Sequence, residues 1–376
     1  MISKNLCSGC SACLNICPKK AISMKKENGF LYPSIDYSVC IDCHNCEKIC
    51  PQLSSSKKYE EPFIIAAYAK DENIRKNSSS GGIFSLFAQK YLSNNGIVIG
   101  CAMAEDFKSA KHIVIKDEQD LRFLRGSKYL QSQMGQTFSD VKKFLLEGKN
   151  VLFSGTPCQV AGLSAFIPDS MKKNLLTIDV ICHGVPSPLV WEKYIEAREK
   201  EAGAKTKAVS FRKKTDKTKE YSLFIEFENG KTFNESIKNN FYLRGFVNNL
   251  FLRPSCYNCE IKNNAYKSDI TLADYWGAED VFEKEEVEKG ISLVITHSEK
   301  GKKELAILQT SAFMIEVNKE AALKKNQSYY KKAKINSLTK NFMKDIKRQD
   351  IDKVLKKYCS SEFIPRLKRK IYKLFK

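Results

Sequence analysis

A chain of 376 residues implies two or three domains, and its fourteen cysteines would suggest a disulfide framework only in a small secreted protein. The N-terminus runs MISKNLCSGC straight into cysteine motifs, with neither the charged start nor the apolar core of a signal peptide, so reduced, largely metal-ligating thiols in the cytoplasm are expected. No run approaches the roughly twenty apolar residues of a membrane span, and the net charge of +20 points away from nucleic acid because sixteen Lys and Arg against four Asp and Glu fall in residues 331–376.

Cys7, Cys10, Cys13 and Cys17 followed by Pro18 spell C-x2-C-x2-C-x3-C-P. Cys40, Cys43, Cys46 and Cys50 followed by Pro51 spell it again, 33 positions later. Three closely spaced thiolates wrap three corners of one cubane, while the fourth is carried by the turn into proline toward the other cluster. Cys7, Cys10, Cys13 and Cys50 are therefore assigned to one 4Fe-4S cluster, and Cys17, Cys40, Cys43 and Cys46 to a second. The competing reading is a pair of zinc knuckles, which need neither the third thiolate nor the proline. Residues 21–37 read as a hairpin around Glu27-Asn28-Gly29, and His44 as a surface residue.

Residues 52–62 are polar and read as a linker. Beyond them short apolar runs at Phe63 to Ala69, Ile97 to Ala104, Ile113 to Ile115, Val151 to Ser154 and Leu175 to Cys182 alternate with helical patterns at 82–93, 118–125, 134–147 and 187–200. Such alternation predicts a mixed α/β layer architecture behind a ferredoxin-like N-terminal module, an α+β arrangement overall. The divisions expected are 1–53, 63–325 and a basic helical tail at 326–376.

Ser80, Gly81 and Gly82, at the end of a serine run, precede an amphipathic helix whose N-terminus could hold a phosphate, although an ordinary N-cap and turn reads the same way. Gly126, Ser127 and Lys128 form a second compact loop ahead of a helical stretch, and an ordinary loop is the competing reading. Cys158 and Cys182 each follow a predicted buried strand, and Cys256 and Cys259 form a C-x2-C pair. Four thiols suffice for a third 4Fe-4S cluster; structural or zinc-binding cysteines are the alternative. Cys101 and Cys359 read as buried, unpaired thiols.

With these residues in hand, the chain resembles the coenzyme F420 hydrogenase/dehydrogenase β-subunit family. The resemblance rests on SSSGGIFSLF (78–87), RGSKYLQS (125–132), SGTPCQVAGL (154–163), DVICHGVPSP (179–188), CYNC (256–259) and SDITLADYWG (268–277). Ala273 and Tyr275 depart mildly from the family's usual Gly and Phe. The resemblance implies FAD beside a 4Fe-4S cluster, with Cys158, Cys182, Cys256 and Cys259 as ligands. It implies flavin contacts from Ser80, Gly81, Gly82, Gly126, Ser127, Lys128 and Thr156, and a catalytic role for Lys128 or His183. Electrons would pass from ferredoxin or another redox partner through the clusters and FAD to a small-molecule two-electron acceptor. Relatives with a fused two-cluster domain occur in bacteria that make no coenzyme F420, some near genes for surface polysaccharides, so that metabolism is the implied setting. The alternatives are a coenzyme F420 oxidoreductase and a non-enzymatic electron-transfer subunit.

From about Leu338 the chain is helix-like and basic, and Leu367, Ile371, Leu374 and Phe375 recur at helical spacing. Such a segment suits contact with an anionic membrane surface or a partner, or packing on the body.

Overall fold

The computed structural model describes residues 2–53, 61–215, 218–262 and 266–360. Most of the polar linker and the last apolar-basic turns, with Leu367, Ile371, Leu374 and Phe375, lie outside the described residues. Among the described residues no helix is long and apolar enough to cross a membrane.

The N-terminal repeat is built on a hairpin. β1 (Ile22–Glu27) and β2 (Phe30–Ile35) pair antiparallel, Glu27 opposite Phe30, across Asn28 and Gly29. Both turn residues have positive φ, 49° and 84°, which a two-residue primed turn requires and Asn-Gly adopts most easily. The internal symmetry reaches the backbone. Short helices Ala12–Ile16 and Asn45–Lys48 are each entered through a left-handed residue, Ser11 at φ 65° and His44 at φ 57°. His44 is exposed, as expected, and bonds Glu47 at 3.0 Å.

The rest of the chain is a mixed α/β body around one large sheet. Its strands in chain order are β3 (Phe63–Ala69), β4 (Ile97–Met103), β5 (Ala110–Ile115), β6 (Ser132–Gln133), β7 (Val151–Ser154) and β8 (Leu175–Val180). A separate three-stranded antiparallel meander follows, β9 (Thr206–Thr215), β10 (Thr218–Phe227) and β11 (Thr232–Ser236). β12 (Ile270–Asp274), β13 (Ser292–Thr296) and β14 (Ala312–Glu316) then rejoin the large sheet, whose order is β14-β3-β13-β12-β8-β7-β4-β5-β6. The centre, β12-β8-β7-β4, is parallel, and antiparallel strands close it on both sides. The apolar runs at 63–69, 151–154 and 175–180 are buried nearly throughout, as parallel or doubly covered strands require.

Helices form where the 3.6-residue pattern places them, at Ile83–Ser93, Leu121–Leu124, Thr137–Leu146 and Pro188–Ala202, and one that the pattern did not anticipate, Pro157–Phe166, follows β7. The meander and the strands after residue 205 were not anticipated; in the meander the alternation is interrupted by charged residues. A second departure concerns the segment after residue 325. Helices Thr339–Asp345 and Ile351–Cys359 bury Phe342, Ile346, Val354, Leu355 and Cys359 in the same core as Trp191, Tyr242 and Phe251. Burial contributes roughly 1.5–3 kcal/mol for each such large apolar side chain, so this stretch to residue 360 is part of the body rather than an appended tail.

Candidate functional site

The carboxyl ends of the parallel strands carry the body's chemistry, as open α/β sheets dispose them to. Cys158 stands in the first turn of Pro157–Phe166, just beyond β7. The turn is fixed locally by a capping box: the Thr156 N–H donates to Gln159 Oε1 at 2.9 Å, and the Thr156 hydroxyl lies 3.2 Å from Cys158 Sγ. Cys182 follows β8 by two residues, and Cys256 lies in the short helix Pro254–Tyr257, with Cys259 just past it. These loops are stitched together. Arg253 N donates to Val185 O at 2.8 Å, Gln131 N to Pro186 O at 3.1 Å, and Val185 N to Cys256 Sγ at 3.3 Å.

The four thiols form one electrostatic group. Burial raises Cys182 first of all; Lys262 opposes this, and thiolate charge on Cys256, Cys158 and Cys259 adds to it. Cys256 is pushed up to about 12 by burial, against the Val185 N–H and with the charges of Cys158 and Cys259. Cys158 is raised by burial and by Cys259, while the Thr156 hydroxyl and the Arg253 charge pull it down. Thiolates so placed repel one another and need a cationic core between them. Among the described residues no three His, Cys, Asp or Glu side chains close in tightly enough for a single metal ion.

In the N-terminal repeat Cys7 and Cys10 are buried, Cys13, Cys17, Cys40, Cys46 and Cys50 are half-buried, and Cys43 is exposed. Cys10 is raised strongly by burial and further by charge on Cys13, Cys158 and Cys50. Cys13 is pushed up to about 12 by burial and by Cys7, Cys50 and Cys46. Cys50 is raised by burial, then by Cys7 and Cys46. Charge thus couples Cys13 to Cys7, Cys50 and Cys46, and Cys10 to Cys13 and Cys50, across the repeat. In the other half Cys46 feels Cys43, and Cys17 Sγ accepts the Ala21 N–H at 3.3 Å.

The two groups adjoin. Charge on Cys158 raises Cys10, and Cys10 Sγ packs on Gly162 of the Cys158 helix, where an added Cβ would lie 2.9 Å from the sulfur. Two buried cations stand around the body's thiols, and sequence reasoning missed both. Arg253 bonds Cys7 O, Gln131 Oε1 and Leu31 O, and Lys262 donates to His183 O and Lys331 O, each at 3.3 Å. Their signal was available: a basic residue three positions before Cys256 and another three after Cys259.

The two glycine loops meet. The Ser127 N–H donates to Ser79 Oγ at 3.0 Å, and Gly126, at φ 82°, has open space where a side chain would be. Gly82, at φ 91°, caps Ile83–Ser93, and Gly81 is pressed against Ala67 O and Ser292 N, so neither accepts a side chain. The Ser80 hydroxyl donates to Ile291 O at 2.8 Å. Lys128, assigned to flavin or substrate from its motif, has its ammonium on the carbonyls of Phe123, Leu124 and Arg125 at 3.0, 3.0 and 2.8 Å. All three of its protons are thereby engaged, and burial lowers it to about 8. His183 sets its ring edge-on to Phe246 at 5.1 Å, and its buried Nε2 has no hydrogen-bond partner among the described residues. Burial, then the nearby Lys262, lowers its pKa.

Beside these loops Arg212 pairs with Asp274 at the end of β12, its guanidinium 4.5 Å above the Tyr221 ring. The block containing Asp274 also fastens β12 to β8. Asp269 Oδ2 accepts from the Thr177 N–H and hydroxyl, and Thr271 Oγ1 donates to Asp179. Asp179 is fully buried and its Oδ2 has no partner among the described residues; burial raises it to about 8, against the hydroxyls of Thr271 and Ser268.

Comparison with known proteins places most of the chain in one family. The family model for the N-terminal part of the coenzyme F420 hydrogenase/dehydrogenase beta subunit matches residues 64–138, and the model for its carboxyl-terminal part matches residues 148–322. A 4Fe-4S dicluster domain model matches residues 6–53. No curated protein sequence matches the chain. A chain in the xenon-derivatised F420-reducing NiFe hydrogenase complex from Methanosarcina barkeri aligns at 17% identity with a TM-score of 0.48, over 73% of this chain and 88% of that one.

Proposed function

Because the chain belongs to the coenzyme F420 hydrogenase/dehydrogenase beta-subunit family and carries an N-terminal 4Fe-4S dicluster domain, we propose that it is an iron-sulfur flavoprotein oxidoreductase. It takes single electrons at the N-terminal repeat from ferredoxin or another redox protein and delivers pairs of them to a small-molecule acceptor. The observation that carries this reading is the contact between the two thiol groups: Cys10 Sγ packs on Gly162 of the helix that carries Cys158, and charge couples Cys182 to Cys256, Cys158 and Cys259.

The residues suit two N-terminal clusters and a third in the body, because crowded thiols beside Arg253 and Lys262, cations with no carboxylate partner among the described residues, have the charge complement of an anionic cluster. Cys17, Cys40, Cys43 and Cys46 hold the outer cluster, Cys7, Cys10, Cys13 and Cys50 the inner one, and Cys158, Cys182, Cys256 and Cys259 the third. A bound FAD supplies the conversion between one-electron and two-electron chemistry. Gly126 and Ser127, with the Ser80-Gly81-Gly82 turn, would contact it; Lys128 holds the Gly126 loop in place by capping the preceding helix. Thr156 orients Cys158, and the free Nε2 of His183 faces the acceptor side.

Anaerobic purification followed by iron, acid-labile sulfide and flavin analysis tests this directly. About twelve iron atoms and one FAD per chain support the proposal. About eight iron and no flavin turn the chain into a relay subunit that passes electrons to a catalytic partner. The family's name points to coenzyme F420 as one acceptor; oxidation of the reduced protein by added F420 distinguishes it from another metabolite, such as one of surface polysaccharide synthesis.

A further inference from the structure

Arg253 is 1% exposed, and its whole fork is used. Nε donates to Cys7 O at 2.7 Å, Nη1 to Gln131 Oε1 at 3.0 Å and Nη2 to Leu31 O at 2.9 Å, while Nη2 also lies 3.8 Å from Cys7 Sγ. The guanidinium covers the Tyr32 ring at 4.3 Å. Its backbone N–H holds Val185 O, and its charge reaches Cys158 on the opposite side. Gly9 yields to it: at φ +70°, an added Cβ would lie 2.5 Å from Gln131 Nε2 and 3.0 Å from Arg253 Cζ. One side chain of the body is thus threaded into the Cys7–Cys10 loop.

All the oxygen partners of this cation are neutral, and no carboxylate pairs with it among the described residues. A buried charge with only neutral partners is unfavourable unless an opposite charge lies close. The nearest source of one is the thiolate set of Cys7. We propose that Arg253 is a positioning residue that both docks the dicluster domain and holds up the reduction potential of the Cys7, Cys10, Cys13 and Cys50 cluster. The inference rests on the cluster assignment above. When that cluster accepts one electron its charge becomes more negative by one and no bond is made or broken. A fixed cation beside it favours the reduced form. Because a guanidinium does not lose its proton, the bias is constant across the working pH range. Electrons arriving at the exposed half of the repeat are thereby drawn inward, toward the body.

The test is a redox titration followed by electron paramagnetic resonance on the anaerobically purified full-length protein, with iron and sulfide counted first. Arg253→Met removes the charge. Gln131→Glu keeps the hydrogen bonds that Oε1 accepts from Arg253 Nη1 and, at 3.2 Å, from the Leu31 N–H, but places a carboxylate beside the guanidinium. The expected result is a downward shift, in both variants, of the signal that Cys13→Ser abolishes, with the other N-terminal cluster unmoved and with Arg253→Lys close to the parent. Full iron with unmoved potentials in both variants overturns the inference and leaves the cluster assignment standing. Loss of iron in both reduces Arg253 to a structural role and equally overturns it. Absence of iron in the parent protein overturns the assignment itself.

Discussion

The two halves of the N-terminal repeat share cysteine spacing, the closing proline and a left-handed residue before a short helix, yet they end in opposite surroundings. Cys7 and Cys10 are each 8% exposed, against Arg253 and Gly162 of the body. Cys43 is exposed, and Tyr37 at 80%, with Val39 and Ile41, stands in solvent beside it. A motif can set which thiols share a cluster; what each cluster exchanges electrons with depends on what packs on it. In the proposed function the inner half is the exit toward the body, and the outer half the entrance.

The most severe way to break this polarity is to remove what the inner half feeds. Replacing Cys158 and Cys256 together by serine should lower iron from about twelve to about eight per chain and abolish reduction of bound flavin by an external one-electron donor, while the N-terminal clusters still reduce. Retention of all the iron would show that the four body thiols hold no cluster. A smaller break separates the halves from the body without touching a ligand. Gly162→Val puts side-chain atoms where Cys10 Sγ lies, so it should cost about 1–3 kcal/mol and slow reduction of the third cluster relative to the first two in stopped-flow traces. Unchanged traces would mean that electrons reach the body by another route.

At the entrance, Tyr37→Lys with Ile41→Asp should raise KM for the protein donor about tenfold, roughly 1.4 kcal/mol of contact, with kcat unchanged. An equal fall in kcat would instead indicate damage to the outer cluster. The smallest effect probes the body alone. Asp179 holds its proton up to about 8 because burial disfavours its charge, so between its ordinary range near 4 and about 8 the folded state carries a proton that the unfolded chain has lost. Stability from this group falls as pH rises through that window. Asp179→Asn does not titrate, and its melting temperature should gain on the parent's between pH 5 and pH 9; parallel pH profiles would assign Asp179 no part in the slope.

Much of the cofactor chemistry was legible because it is local. The hairpin turn, the N-terminal thiols and the strands that end at Cys158 and Cys182 are each marked by a few adjacent residues whose type dictates backbone or ligation. Lys128 shows the limit. Its place in a glycine-containing basic loop suggested a ligand contact, but its ammonium lies on three carbonyls at the end of the preceding helix, a choice made by the path of the backbone. The meander from 206 to 236, and the burial of the helices read from about Leu338, were hidden for a related reason. Their apolar faces are interrupted in sequence by Lys, Arg and Glu, and become continuous only when packed against Trp191 and its neighbours.

By itself the sequence determined that the first eight cysteines form a repeated dicluster motif, the mixed α/β class of the body and the strand ends that bear Cys158 and Cys182, because spacing and periodicity act within a few residues of one another. Only the tertiary structure decided that Cys10 meets Cys158, that Gly162 must be small and that Arg253 is driven into the Cys7 loop 246 residues away. Charge and packing act through space, and the fold is what turns a separation along the chain into a contact.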